Sequence, residues 1–383
     1  MVEPGRLRVA VDATPLIGHR TGVGEFCRGA LGALAARGDL ELTGFAVSWR
    51  RRELAHRALP PGVSGAQRPM PARPLQLAWR RLGLPALEWF VGDHDVVHGT
   101  NFVVPPTKRA ARVVTVHDLT ALRFPELCDR STLAYPALIG RAVRTGAFVH
   151  TPSAYVAAEV IEAFGAPPER VRAIHSGIPE RPPPLDRVPD RLLAPRTERY
   201  ILSLATAEPR KDLPSLVGAF DQLAADRPEL GLVLAGPPGW GEAELAAAVA
   251  RSPFADRIAR PGWIDDATAV TLLGAAAVLA YPSRYEGFGF PPLEAMVRGV
   301  PVVATDAGAL PEVLGDGAVL VPVGDVAALA AALAEVLDSP GRAQELAAAG
   351  CRHASRFSWS ACADGLDALY RDVVAAGVGG GRR

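Results

Sequence analysis

YEGFGFPPLEAMVRGVPVVAT, Tyr285 to Thr305, is the stretch on which the reading of this chain turns. It sets Glu286 and Glu294 eight positions apart, with Gly287, Gly289, Pro291 and Pro292 between them. Upstream, the apolar run Ala275 to Ala280 reads as a buried strand. Downstream, Leu293 to Arg298 reads as a helix that opens after a proline in its first turn. The segment Gly287-Phe288-Gly289-Phe290 then forms a strand-to-helix loop, whose backbone N–H groups make a natural anion site. Two carboxylates do not sit beside a phosphate in order to bind it. Glu286 at the loop mouth and Glu294 about one turn into the helix are placed to accept hydrogen bonds from hydroxyls, as on a sugar and a ribose.

The rest of the chain repeats the same grammar. Apolar β-branched runs end in loops rich in Gly, Pro or Asp and are followed by helical patterns. They include Leu7–Val11, Arg112–Val116, Phe148–Thr151, Tyr200–Leu204, Leu232–Ala235, Val278–Tyr281 and Val300–Ala304. Strand–loop–helix repetition predicts an α/β fold of parallel sheets covered by helices on both faces. In such sheets ligands bind beyond the carboxyl ends of the strands, and the polar motifs of this chain sit there.

A Pro- and Arg-dense stretch, residues 179–199, has no sustained period and reads as a linker. It divides an N-terminal domain, 1–178, from a C-terminal domain, 200–356. Residues 357–376 form an amphipathic helix with Phe357, Trp359, Leu366, Leu369 and Tyr370 as its apolar positions. The glycine-rich tail, 377–383, is expected to be disordered.

With 383 residues, 49% apolar and 21% charged, the chain is long enough for two globular domains and is not a disordered one. The net charge of zero is unevenly spread. Residues 1–179 hold 22 Lys/Arg against 15 Asp/Glu, and residues 180–383 hold 19 against 26, giving +7 and −7. The basic half suggests an anionic acceptor or peripheral contact with a membrane surface, with an ordinary arginine-rich surface as the alternative. No nucleic-acid partner is expected. Cys27, Cys128, Cys351 and Cys362 are scattered and form no CxxC, so neither a zinc site nor a disulfide framework is indicated and a reducing cytoplasm fits. No signal-peptide pattern precedes the first strand, and no apolar run of 18 residues could span a bilayer. The segment from Leu75 to Val91 mixes Trp79, Leu82, Leu84, Trp89 and Phe90 with Arg80 and Arg81. It reads either as a helix packed on its own sheet or as a membrane-interface element.

The Glu-x7-Glu pair in its EGFG-P-LEAM context, followed by LPEVLGDGA (Leu310–Ala318), resembles the retaining glycosyltransferases of family 4. RVAVDATPLIGHRTGVGEF, TVHDLTALRFPE, AEPRKDL, VLAGPPGWGE and GWIDDAT extend the resemblance over nearly the whole chain. It implies the GT-B architecture, with two facing Rossmann-like domains and a last helix that crosses back to the first.

The resemblance also implies roles. Arg210 and Lys211 match the basic pair that binds the donor's diphosphate. Cations at a helix start oppose its dipole and so usually have another reason to be there. Many members carry a further arginine in a Gly-Arg pair, where this chain has Ala205 and Thr206. Gly22 and Gly24 match a glycine loop beside the diphosphate, and any tight strand-to-helix turn would favour glycine too. His117 matches a histidine that approaches the donor sugar, and Asp118 next to it reads as a cap. Asp266 matches a base-recognition loop and could accept both N1–H and N2–H of guanine; it could equally be an N-cap. Trp240 could pack near the base or in the fold.

The implied activity is metal-independent, retaining transfer of a hexose from a nucleoside-diphosphate sugar to a glycan or lipid-linked acceptor. Mannose from GDP-mannose is the first choice of donor, and no cofactor or metal is implied. A nucleotide-sugar epimerase on the same fold and a nucleotide-sugar-binding regulator stand as alternatives. The implied donor-side groups follow the linker, whereas Gly22, Gly24 and His117 precede it.

Overall fold

The computed structural model describes the backbone of residues 6–17, 21–129 and 132–380. The chain divides into two compact units, Met1–Gly177 with Phe357–Arg383, and Ile178–Arg356.

The first unit holds a seven-stranded sheet: β1 (Leu7–Asp12), β2 (Leu40–Phe45), β3 (Val63–Gly65), β4 (Val96–Gly99), β5 (Ala111–Thr115), β6 (Phe148–Thr151) and β7 (Val171–Ala173). Its order is β3-β2-β1-β4-β5-β6-β7, and the paired strands are parallel. Val9, Ala10, Val96, Val97, Val113 and Val114 are fully buried, as strands covered on both faces require.

The helix Gly22–Arg37 lies on this sheet and buries Phe26, Ala30, Leu31 and Leu34 in one core with Leu366, Leu369, Tyr370 and Val373 of the C-terminal helix. The two helices meet closely. A Cβ at Gly29 would stand 2.1 Å from the Trp359 ring, and one at Gly177 would stand 2.3 Å from the Trp359 backbone nitrogen. Arg37 ties the edge by pairing with Asp364 and Asp367. The C-terminal helix is continuous from Trp359 to Gly380, so the expected break into a structureless tail at 377 is not found. Helix propagation adds one bond per residue once nucleated, and this carries the segment past its glycines. Residues 381–383 of that expected tail lie outside the described residues.

A six-stranded parallel sheet forms the second unit: β8 (Arg199–Leu204), β9 (Leu230–Ala235), β10 (Ile258–Gly262), β11 (Val278–Tyr281), β12 (Val302–Thr305) and β13 (Val319–Val321), in the order β10-β9-β8-β11-β12-β13. The apolar run Ala275–Ala280 is not one strand. Its first residue ends the helix Asp266–Ala275, and β11 starts at Val278.

The stretch read as a linker lies along the second unit. Its prolines offer no N–H to a ladder, so side chains and single bonds hold it instead. The Leu185 N–H donates to Thr271 Oγ1 at 2.7 Å, Leu192 is buried, and Arg181 reaches two carboxylates. No helix among the described residues is long and apolar enough to cross a membrane.

Candidate active site

In the second sheet the strand order reverses between β8 and β11, the neighbours from which connections run in opposite directions. That reversal opens a crevice at the carboxyl ends. The loop after β8 carries Arg210 and Lys211 in a 3-10 turn, Pro209–Lys211, and the loop after β11 carries Tyr285 to Gly289. A backbone bond of 2.8 Å from the Arg284 N–H to the Arg210 carbonyl joins the two loops.

Side chains close the cluster. Lys211 Nζ donates to Glu286 Oε1 at 2.6 Å and to the Tyr281 hydroxyl at 2.8 Å. An Arg210 terminal nitrogen lies 2.9 Å from Glu286 Oε2 and donates to the Tyr285 carbonyl at 3.0 Å; the other lies 3.4 Å from Glu208. Burial alone would push the Glu286 carboxyl up. The charges of Arg210 and then Lys211, with the Lys211 hydrogen bond, outweigh it and bring it down to about 2. Lys211 falls below the usual lysine range because burial and then Arg210 disfavour its charge more than Glu286 favours it. The residues read as separate carboxylate and phosphate groups thus form one ion-paired cluster. Tyr281, the hydroxyl that holds Lys211, was not read from sequence, where it is only the last apolar position of a strand.

Backbone fixes Glu286 as tightly as side chains do. The Ala309 N–H donates to the Glu286 carbonyl at 2.8 Å. At Gly308, with φ +57°, a Cβ would stand 2.4 Å from that same carbonyl. Gly289, at φ +112°, caps the helix Phe290–Met296. This helix opens at Phe290 rather than at Leu293, since Pro291 and Pro292 occupy first-turn positions whose N–H groups would be unpaired anyway. Gly287 and Phe288 are buried, and the Phe288 ring meets Phe290 edge-on at 5.2 Å beneath the loop.

Glu294, also buried, is held from the linker stretch. Arg181 Nε donates to Oε2 at 2.9 Å, and an Arg181 terminal nitrogen donates to Oε1 at 2.8 Å. Another Arg181 nitrogen lies 3.5 Å from Asp266 Oδ1. Asp266 is not the N-cap of its helix. Asp265 is, accepting from the Thr268 N–H at 2.8 Å, which leaves Asp266 for Arg181. Sequence reasoning missed Arg181; the only local sign is an arginine set before three prolines. Trp240 is half exposed.

The first unit places the remaining residues at its own carboxyl edge. Gly22 and Gly24 lie inside the first turn of the helix Gly22–Arg37 rather than in a loop before it, and Thr21 is the cap. A Cβ at Gly24 would stand 3.1 Å from the Pro15 carbonyl, so a side chain there would press on the backbone leaving β1. Residues 18–20 of the GHRTGVGEF motif lie outside the described residues. His117 follows β5, and its Nε2 donates to the Thr100 carbonyl at 2.8 Å. That bond fixes the tautomer, leaving Nδ1 as an acceptor. Burial lowers the His117 pKa, against the Thr100 bond and Asp118, so the ring is neutral at pH 7. Phe26 and Phe102 meet it edge-on. Asp118 Oδ1 accepts from the Thr120 N–H at 2.9 Å, a local turn rather than the cap expected of it, since Leu119 is the N-cap of the helix that follows.

The family description "Glycosyltransferase Family 4" matches residues 20–181, and "Glycosyl transferases group 1" matches residues 186–353. The chain is 31% identical over 294 residues to the O-antigen chain mannosyltransferase B of Escherichia coli, covering 74% of this chain and 77% of that one. It is 32% identical over 308 residues to an MMP alpha-(1->4)-mannosyltransferase of Mycolicibacterium hassiacum, covering 74% and 72%. Among solved structures, sucrose-phosphate synthase from Thermosynechococcus elongatus superimposes with a TM-score of 0.75 at 20% identity, over 97% of this chain and all of that one. The fold is therefore that of the GT-B glycosyltransferases. With the two family descriptions matched one after the other over residues 20–181 and 186–353, and a relative 31% identical over 77% of its length, the chain belongs to glycosyltransferase family 4 and is a glycosyltransferase.

Proposed function

We propose that this glycosyltransferase moves a hexose, mannose first, from a nucleoside-diphosphate sugar to a hydroxyl of a glycan or lipid-linked acceptor, with retention and without a metal. One observation carries the reading: Glu286 is locked between Arg210 and Lys211 at the strand-order reversal of the second sheet. The two cations would stabilise charge on the leaving diphosphate, together with the N–H groups of Gly287, Gly289 and their neighbours. A carboxylate has about four lone-pair positions, so Glu286 can accept sugar hydroxyls while keeping its cations. No side chain of the cluster is a free nucleophile. The acceptor oxygen would bond to the anomeric carbon on the face from which the diphosphate departs, as the carbon–oxygen bond to phosphate breaks. The acceptor proton would pass to the leaving phosphate oxygen.

The mannosyltransferase names of two relatives support mannose as the sugar. A second donor class has support from the Anabaena protein HepE, solved with UDP and glucose, which shares the fold at 18% identity and a TM-score of 0.69 over 96% of this chain and all of that one. Calorimetry with GDP, UDP and ADP decides the base. NMR of the product from GDP-mannose, or the matching UDP-sugar, with a simple hexoside acceptor decides the chemistry. An α-linked product supports retaining transfer. A 2-epimer or an unchanged donor sinks it in favour of isomerisation or simple binding.

The acceptor reading includes a membrane surface. Leu75 and Trp79 of the helix Ala72–Arg81 are buried on the first sheet. Leu77, Leu82, Leu84 and Trp89 stand 50–74% exposed in a segment that also exposes Arg73, Arg80 and Arg81, and Arg68 lies over the Trp89 ring at 5.9 Å. A segment that exposes both apolar groups and guanidinium groups suits the interface of an anionic bilayer.

A further inference from the structure

Glu294 is buried to within 9% of complete exclusion and carries a charge that only a partner can make tolerable. Its partner comes from the stretch that the sequence presents as a linker. Arg181 is itself only 14% exposed, and its Nε and one terminal nitrogen meet the two carboxylate oxygens at 2.9 and 2.8 Å. This is the two-pronged fork that arginine makes and lysine cannot. Pro182, Pro183 and Pro184 follow directly and stiffen the backbone from which Arg181 projects. The bond from the Leu185 N–H to Thr271 anchors the stretch one residue later. The same guanidinium lies 3.5 Å from Asp266, so one cation orders two of the carboxylates expected at the donor.

We propose that Arg181 is a positioning residue for the donor's ribose: its fork holds the Glu294 carboxylate in one orientation, with the remaining lone pairs turned to receive the 2′- and 3′-hydroxyls. The inference rests on the reading that Glu294 meets the ribose. The alternative geometry, in which the ribose displaces Arg181, is unfavourable. Two neutral hydroxyls do not replace the cation of a buried carboxylate. Arg181 therefore stays in place when the donor arrives, and ribose recognition depends on it without direct contact.

The test is calorimetry on the full chain with UDP and GDP, each beside its 2′,3′-dideoxy form. In the wild-type protein the tighter nucleotide should bind roughly tenfold better than its dideoxy form, the worth of one to two good hydrogen bonds. Arg181→Ala should reduce that preference to about twofold or less, and Arg181→Lys should leave an intermediate value, because it keeps charge and loses the fork. Arg187→Ala, at an exposed arginine of the same stretch, should change nothing. Glu294→Gln separates the two readings. If Glu294→Gln keeps the full preference, the ribose reading itself is wrong. If Glu294→Gln abolishes it and Arg181→Ala keeps it, only the role of Arg181 falls. Should Arg181→Ala not fold, Arg181→Lys decides, and an undiminished preference in that variant overturns the proposal.

Discussion

Lys211 Nζ lies 2.6 Å from Glu286 Oε1, with only 12% and 8% of the two side chains exposed. A pair this buried is costly to break from one side, since the survivor keeps its charge without a partner. Under the proposed function the pair would serve catalysis and stability together, and substitutions at it should register in both.

Glu286→Gln should lower turnover by about a hundredfold or more, the scale seen when one electrostatic contact to a reacting centre is lost. Nucleoside diphosphate affinity should change modestly, and the melting temperature should fall because Arg210 and Lys211 lose their carboxylate. Turnover, calorimetry and thermal unfolding on one preparation separate these effects. A variant that loses only nucleotide affinity would refute the assignment to the sugar.

Under the proposed mechanism activity should survive EDTA, because Arg210, Lys211 and the loop N–H groups would supply the positive charge that a metal would otherwise bring. Complete loss with EDTA, restored by magnesium or manganese, would sink the metal-free mechanism.

Gly308→Ala should impair catalysis without touching any ionisable group. It places a Cβ at φ +57° and 2.4 Å from the Glu286 carbonyl, so the backbone under Glu286 must shift. The left-handed conformation alone costs about 1 kcal/mol for a non-glycine residue. Turnover should fall several-fold or more; a fully active, equally stable variant would mean that the loop has slack.

Stability should drop as pH falls from 7 toward 5.5, through a buried chain in the first unit. The Tyr370 hydroxyl meets His98 Nδ1 at 2.7 Å, His98 Nε2 meets Thr115 Oγ1 at 2.7 Å, and Thr115 Oγ1 meets His150 Nδ1 at 2.9 Å. His150 Nε2 ends on the Ile174 carbonyl at 3.1 Å. A carbonyl only accepts, so His150 Nε2 donates and every other proton in the chain is fixed in turn. Both rings are neutral. Burial, opposed by the Ile174 bond, brings His150 down to about 3, and burial, with His150 next, takes His98 well below 6.5. Folded values below the unfolded one mean that this stability is complete above pH 6.5 and is lost as pH falls toward the folded value. Near pH 5.5 each histidine should contribute a slope of roughly 1 kcal/mol per pH unit. Denaturant unfolding at pH 7, 6.25 and 5.5 measures it, and His98→Asn should flatten the slope. A slope unchanged in that variant would show that His98 is not neutral in the folded protein.

Vesicles containing anionic lipid should sediment the protein, and zwitterionic vesicles should not. Leu82→Glu with Trp89→Ser should abolish the binding, at two side chains that are 74% and 68% exposed and so cost the fold little. Equal sedimentation of the double variant would remove the surface from consideration.

The sequence by itself determined the architecture and the strand ends at which the candidate site residues stand. Parallel sheets follow from short buried apolar runs such as Val278–Tyr281, each ended by a loop that turns into a helix. Glu286, Arg210 and Lys211 were legible because they stand in loops directly after such runs, where a strand's carboxyl end fixes the place of a side chain before any packing is known. Local rules also misplace detail: two prolines moved the start of a helix from Leu293 to Phe290, and the cap passed from Asp266 to Asp265.

The tertiary structure alone decided who partners whom. Arg181 and Glu294 are 113 positions apart, Tyr370 and His98 are 272 apart, and neither pair has any sequence period to announce it. A proline-rich stretch reads as a linker because proline forms no ladder. Only packing shows that this one lies along the second unit and brings a cation to a buried carboxylate. Periodicity is a property of neighbours along the chain, whereas a buried charge or imidazole chooses its partner by distance in space, after the sheets have formed.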